Sequence, residues 1–257
     1  MKKYTTFLSF LSLVALSLLL WQCNMGSADS VSPNQNGTGG SMARFAITGN
    51  TLYIVTRQSL DVYDITQPDA PTRQAKAELG LGIETIFPYR QNLFVGANDG
   101  MYIFNNQQPQ APTLLSKYTH VMSCDPVVVQ NQYAYVTLRG GVGCRQWVNN
   151  SSLDVVDVSD PANPKLINSQ PMQSPYGLGV DGDKLFVCEG ISGLKVFDIS
   201  DPTQPRLHHN YPEVASYDVI PRQNLLIVTG QNGLYQYRYG DNIAENSMEL
   251  LSKIPVE

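Results

Sequence analysis

Tyr176-Gly177-Leu178-Gly179-Val180-Asp181-Gly182-Asp183-Lys184-Leu185-Phe186-Val187 reads as a short apolar strand, a tight polar turn and a second apolar strand ending in Val. Asp and Gly accept turn backbone at low cost, and the flanking runs have strand length. The same twelve-residue frame is present at Arg44 to Val55, Glu84 to Val95, Asp125 to Val136 and Tyr217 to Val228. Its other turns are Thr48-Gly49-Asn50, Arg90-Gln91-Asn92, Gln130-Asn131-Gln132 and Arg222-Gln223-Asn224. The frames start at residues 44, 84, 125, 176 and 217, so the intervals are 40, 41, 51 and 41. A period in that range marks a repeat array, each unit of which buries its apolar faces against its neighbours.

Each frame is followed by a third apolar strand: Leu60 to Ile65, Met101 to Phe104, Leu153 to Val158, Leu194 to Ile199 and Leu234 to Tyr237. A turn with paired prolines follows in four units (Pro68/Pro71, Pro109/Pro112, Pro161/Pro164, Pro202/Pro205), and the fifth unit lacks both. A fourth strand comes next, and proline at its start suits an outer edge, where a missing N–H costs little. Apolar residues recur nowhere with helical spacing. Four antiparallel strands repeated radially make a propeller blade. The sequence therefore predicts an all-β domain over residues 42–257, a five-bladed β-propeller with blades near 43–79, 83–120, 124–172, 175–213 and 216–257. A pair of sandwiches, or a ring with another blade count, are the alternatives.

Leu153-Asp-Val-Val-Asp-Val-Ser-Asp-Pro-Ala-Asn-Pro164 and Gly193-Leu-Lys-Val-Phe-Asp-Ile-Ser-Asp-Pro-Thr-Gln-Pro205 resemble the repeats of the LVIVD-repeat family of bacterial secreted or surface β-propellers. The resemblance spans roughly residues 43–256 and implies the propeller fold. It implies no activity and carries over no catalytic residue.

The first residues predict export. Met1-Lys2-Lys3 is a basic start, and Phe7 to Trp21 is an apolar run of signal-peptide length, short for a bilayer span. Cys23 follows where bacterial lipoproteins carry their lipid-modified Cys, although Gln22 stands where a small residue is usual. Residues 1–22 are thus expected to be a signal peptide and 23–41 a lipid-anchored flexible tether, rich in Gly, Ser, Asn and Gln and too poor in aliphatic residues to order itself. An ordinary secreted protein is the alternative. The expected location is the bacterial cell envelope, at the outer membrane, on either its periplasmic or its surface side. Loss of residues 1–22 removes Lys2 and Lys3 and moves the formal net charge from −5 to −7, a balance that argues against nucleic acid as a partner.

In a propeller the first strand of each blade lines the central channel, and loops converge around its mouth. The frame places Arg44, Glu84, Asp125, Tyr176 and Tyr217 in a ring there, with Asp218 one position deeper. Blade 3 carries the one long loop between second and third strands, Leu138 to Ser151, with Arg139, Cys144, Arg145 and Trp147. Arg44, Glu84, Asp125, Arg139, Trp147, Tyr176 and Tyr217 are the expected ligand contacts, for a protein or glycan bound without chemistry. The bland reading is a ring that caps the channel and a loop that covers it. Cys124 and Cys144 are expected to form a disulfide that pins the loop, with Cys188 a buried single thiol and a 124–188 bridge the rival pairing. His120, His208 and His209 support no catalytic triad. The expectation is no cofactor and no metal, with a divalent cation among the mouth carboxylates the weaker alternative. A carbohydrate-active hydrolase using Glu84 and Asp125 is the enzymatic alternative, with Asp218 and Glu189 as further acids that could converge there.

Overall fold

The computed structural model describes residues 40–80, 82–119, 126–140, 150–241 and 248–256, all within the unit Asn34–Glu257. The expected signal peptide, Cys23 and most of the tether lie outside the described residues, as do His120, Cys124, Asp125, Cys144, Arg145 and Trp147.

Five four-stranded antiparallel sheets follow one another, each with its strands in chain order. Blade 1 holds β1 (Phe45–Thr48), β2 (Thr51–Val55), β3 (Ser59–Asp64) and β4 (Thr72–Glu78). Blade 2 holds β5 (Ile83–Tyr89), β6 (Asn92–Ala97), β7 (Gly100–Asn105) and β8 (Thr113–Tyr118). Blade 3 holds β9 (Val127–Gln130), β10 (Tyr133–Leu138), β11 (Ser151–Asp157) and β12 (Lys165–Met172). Blade 4 holds β13 (Leu178–Asp181), β14 (Lys184–Cys188), β15 (Leu194–Asp198) and β16 (Arg206–Tyr211). Blade 5 holds β17 (Asp218–Arg222), β18 (Leu225–Gly230), β19 (Gly233–Tyr239) and β20 (Met248–Ile254).

Local chemistry explains each unit. The frame turn is a two-residue loop in every blade, and its first residue (Gly49, Arg90, Asn131, Gly182, Gln223) is left-handed, with φ between 49° and 58°. At the end of the third strand, Asp64, Asn105, Asp157 and Asp198 each accept a hydrogen bond at 2.8 Å from the backbone N–H two residues on. That Asx turn starts the proline-rich connection and accounts for the polar residue closing the repeat. In blades 1, 3 and 4 hydrogen bonds from the residue two on, led by the hydroxyl of Thr66 for Asp64 and by the backbone N–H groups of Ser159 and Ser200 for Asp157 and Asp198, hold the Asp carboxyls below their ordinary pKa. The earlier acids of the Asp-x-x-Asp pairs are also structural: Asp61 meets Ser59 and Arg73, and Asp154 meets Ser169. Each outer strand carries one extra residue opposite the third strand (Gln74, Leu115, Ile167, His208, Leu251). Such a bulge bends the exposed edge and discourages edge-to-edge pairing.

The inner strands β1, β5, β9, β13 and β17 stand side by side in that order. Four apolar cores fill the junctions between successive blades. Tyr53, Leu60 and Val62 meet Ile86, Leu93 and Phe104; Phe94, Met101 and Ile103 meet Val127, Ala134 and Val136. Tyr135, Leu153 and Val155 meet Leu178, Leu185 and Val187; Phe186, Leu194 and Val196 meet Val219, Leu226 and Val228. Between blade 5 and blade 1 the described residues form no such core. Phe45 holds in β1 the register place of Ile86, Val127, Leu178 and Val219, yet Phe45 is 61% exposed and those four are buried. Ile227, in the place of Phe94, Tyr135 and Phe186, is only half-buried. A polar link stands at the centre instead: the Ser41 hydroxyl donates to Asp218 Oδ1 at 3.2 Å and accepts from the Leu178 N–H at 2.7 Å.

Pairing also moves blade 1 by one residue relative to the sequence frame. Ile54, not Val55, faces Phe45, as Val95 faces Ile86. Arg44 therefore stands level with Thr85, Pro126, Gly177 and Asp218, and not with Tyr176 and Tyr217. Both Ile54 and Val55 satisfy an apolar strand end, so composition alone does not separate the two registers.

Candidate functional site at the channel mouth

The residues that enter the inner strands build a cavity of about 420 Å³, counting the space at its open end, lined by Met42, Arg44, Glu84, Thr85, Pro126, Arg139, Pro175 and Tyr176. Four blades contribute. Met42 and Arg44 lead into β1, Glu84 and Thr85 lie at the start of β5, Pro126 precedes β9, Arg139 leaves β10, and Pro175 and Tyr176 precede β13. Glu84 reaches the mouth because β5 bulges between Ile83 and Thr85, where the partner strand continues directly from Gly96 to Ala97.

Tyr176 is the most constrained member. Its N–H donates to the Cys188 carbonyl at 2.8 Å, and its own carbonyl accepts from the Thr137 hydroxyl at 2.6 Å. The Arg139 guanidinium lies over its ring, 3.8 Å from the centroid, and the Tyr217 ring meets it edge-on at 5.1 Å. Gly190 passes so close that an added Cβ would lie 2.8 Å from the Tyr176 ring, and Gly190 is left-handed at φ 59°. Glu189 fixes the connection just upstream. Its carboxylate is fully buried, accepts from the N–H groups of Gln173 (2.8 Å) and Ser174 (3.4 Å), and pairs with Lys195 at 2.5 Å.

Arg139 has its Nε buried without a hydrogen-bond partner. Among the described residues no carboxylate pairs with Arg139 or with Arg44. A guanidinium held flat on an aromatic ring keeps its edge donors available for a planar acceptor.

Of the expected contacts, Arg44, Glu84, Arg139 and Tyr176 thus converge on one cavity. Tyr217 supports Tyr176 from behind. Asp125 and Trp147 fall outside the described residues. Two of the expected further acids take other roles. Glu189 is a buried strut, and Asp218 is enclosed by Ser41 and by Gly40 and Gly177, at either of which a Cβ would collide with its carboxylate. Burial pushes the Asp218 carboxyl up to about 6. Cys188 is a buried free thiol, which removes the 124–188 pairing; burial pushes that thiol up. The expected disulfide of Cys124 and Cys144 lies outside the described residues. Among the described residues no three His, Cys, Asp or Glu stand together as metal ligands. Sequence reading missed Met42, Thr85, Pro126 and Pro175. The two prolines carried the signal, since each stands shortly before an inner strand and outside the paired-proline turn of its unit.

A ring of successive four-stranded sheets with loops converging on a central mouth defines a β-propeller. The LVIVD repeat matches the chain at residues 39–75, 147–170 and 177–212. No curated protein matches it. Among solved structures it is similar to a functionally unknown protein from Desulfotomaculum acetoxidans DSM 771, at 11% identity and a TM-score of 0.67, over 83% of this chain and 69% of that one. It is similar to the periplasmic gluconolactonase PpgL of Pseudomonas aeruginosa at 14% identity and a TM-score of 0.61, over 81% and 68% of the two chains. A chain of the nidogen/laminin complex aligns at 14% identity and a TM-score of 0.53, over 77% and 74%. At these identities the likeness carries the fold alone.

Proposed function

We propose that this protein is a non-enzymatic binding module of the cell envelope that takes a protein or glycan ligand at the mouth cavity. The carrying observation is the convergence of Arg44, Glu84, Arg139 and Tyr176, from four blades, on one open cavity. Of the further acids that could converge there, Glu189 and Asp218 are committed to structural contacts; Glu84 lines the cavity, and Asp125 lies outside the described residues. That the nidogen/laminin complex contains a propeller of this kind supports a protein ligand. Export and lipidation at Cys23 complete the reading, and the mass of the mature N-terminus tests that part.

The binding face is tested by a photo-crosslinking amino acid placed at Met42, on the cavity rim, and separately at Ile254, on the outer strand of blade 5. In cells, one defined adduct from Met42 and none from Ile254 is the expected result. Equal labelling from both positions, or sugar release from glycans by the purified protein, would contradict the proposal.

A further inference from the structure

The chain carries a formal net charge of −5, yet its mouth cavity holds two guanidinium groups to one described carboxylate. Arg139 Nε is buried with no partner, and a buried donor left unpaired costs free energy, more when it is charged. An anionic ligand with planar acceptors supplies the partner that both guanidinium groups lack among the described residues, and guanidinium–carboxylate pairs have the bidentate geometry to do so. Because Tyr176 already fixes the Arg139 plane, little of the ligand's binding energy goes into ordering it.

The walls distinguish an acidic side chain from an acidic sugar. Sugar rings stack on open aromatic faces. The aromatic residue in the described lining is Tyr176; Arg139 covers one face of it, and the Tyr217 ring packs against it with the centroids 5.1 Å apart. Met42, Pro126 and Pro175 supply apolar walls suited to a short methylene stem.

We infer that the mouth cavity receives the carboxylate side chain of an acidic polypeptide, clasped by Arg44 and Arg139. The inference rests on the reading of the mouth as the binding face. Isothermal titration of the purified protein with hexaglutamate, hexaglutamine and trigalacturonate tests it, with circular dichroism and the melting temperature checking that each variant folds. Hexaglutamate is expected to bind and hexaglutamine not to bind. Affinity is expected to fall at least tenfold in Arg139→Met and in Arg44→Met, and to fall with rising salt. Arg139→Lys keeps the charge but not the fork, and is expected to lose affinity as well. Equal binding of hexaglutamine that still depends on Tyr176→Ala would remove the charge requirement and leave the mouth as the site. Hexaglutamate binding insensitive to both arginines would remove the mouth too. Binding of trigalacturonate alone, or of none of the three at millimolar concentration, would overturn the inference.

Discussion

The Ser41 hydroxyl donates to Asp218 Oδ1 at 3.2 Å, joining the residues before β1 to the inner strand of blade 5. This polar contact stands where the other four junctions have apolar cores, and its carboxylate titrates in the mildly acidic range.

Burial raises the Asp218 pKa to about 6 from 3.8. The folded protein therefore holds this proton more tightly than the unfolded chain does. Below pH about 4 the group is neutral in both states and contributes nothing. Stability falls as pH rises from about 4 to about 6, and the full penalty remains above that; a shift of roughly two units corresponds to about 3 kcal/mol. Asp218→Asn should thus raise the melting temperature by several degrees at pH 7.5 and by little at pH 4.5. Calorimetry at the two pH values checks this, and an equal gain at both would contradict it.

Gly177 owes its identity to that carboxylate, since a Cβ there collides with Asp218. Gly177→Ala should cost about 1–3 kcal/mol, as overpacking does. The cost should shrink markedly when measured in an Asp218→Ala background, because the two positions share one space. Denaturant melts of the four proteins give the coupling, and strict additivity would show that the two residues do not compete.

The blade 5 to blade 1 junction makes equivalent register positions unequal in energy. Ile86→Ala, inside a filled core, should cost about 2–5 kcal/mol. Phe45→Ala, at the matching place in β1 but 61% exposed, should cost less than about 1 kcal/mol despite removing a larger side chain. Chemical denaturation compares them directly, and similar costs would mean that the junction is packed in solution.

Glu189 supports the mouth indirectly. Its replacement by Ala leaves Lys195 without its partner and frees the N–H groups of Gln173 and Ser174. Loss of one member of a buried ion pair costs about 3–5 kcal/mol. In Glu189→Ala the near-ultraviolet tyrosine signal should weaken as Tyr176 and Tyr217 lose their fixed geometry. An unchanged spectrum with lowered stability would limit Glu189 to a role in blade 4 alone.

The blade count and strand order were legible because every blade repeats the same turn chemistry. A left-handed turn residue recurs in all five blades and a closing Asx cap in blades 1 to 4, and local sequence records both. The register of blade 1 was not legible: Ile54 and Val55 are both apolar strand residues, and cross-strand pairing alone chooses between them. The missing core at the last junction was equally hidden, because Phe45 and Ile47 read as buried strand residues until the neighbouring sheet is placed. At the mouth, Arg44 was found although its assigned register was one residue off, because either register leaves it leading into β1. Glu189 and Asp218 read as further acids of the mouth, since nothing local announces the Lys195 and Ser41 partners that bury them.

The most direct test of the mouth as the binding site uses the methionine methyl resonances of the purified protein during titration with hexaglutamate. Met42 lines the cavity, Met101 is buried between blades 2 and 3, and Met172 and Met248 lie on outer strands. The Met42 methyl signal should shift in proportion to bound peptide while the signals of Met101, Met172 and Met248 stay in place. A stationary Met42 signal with movement at Met172 or Met248 would place the ligand on the outer strands and contradict the account.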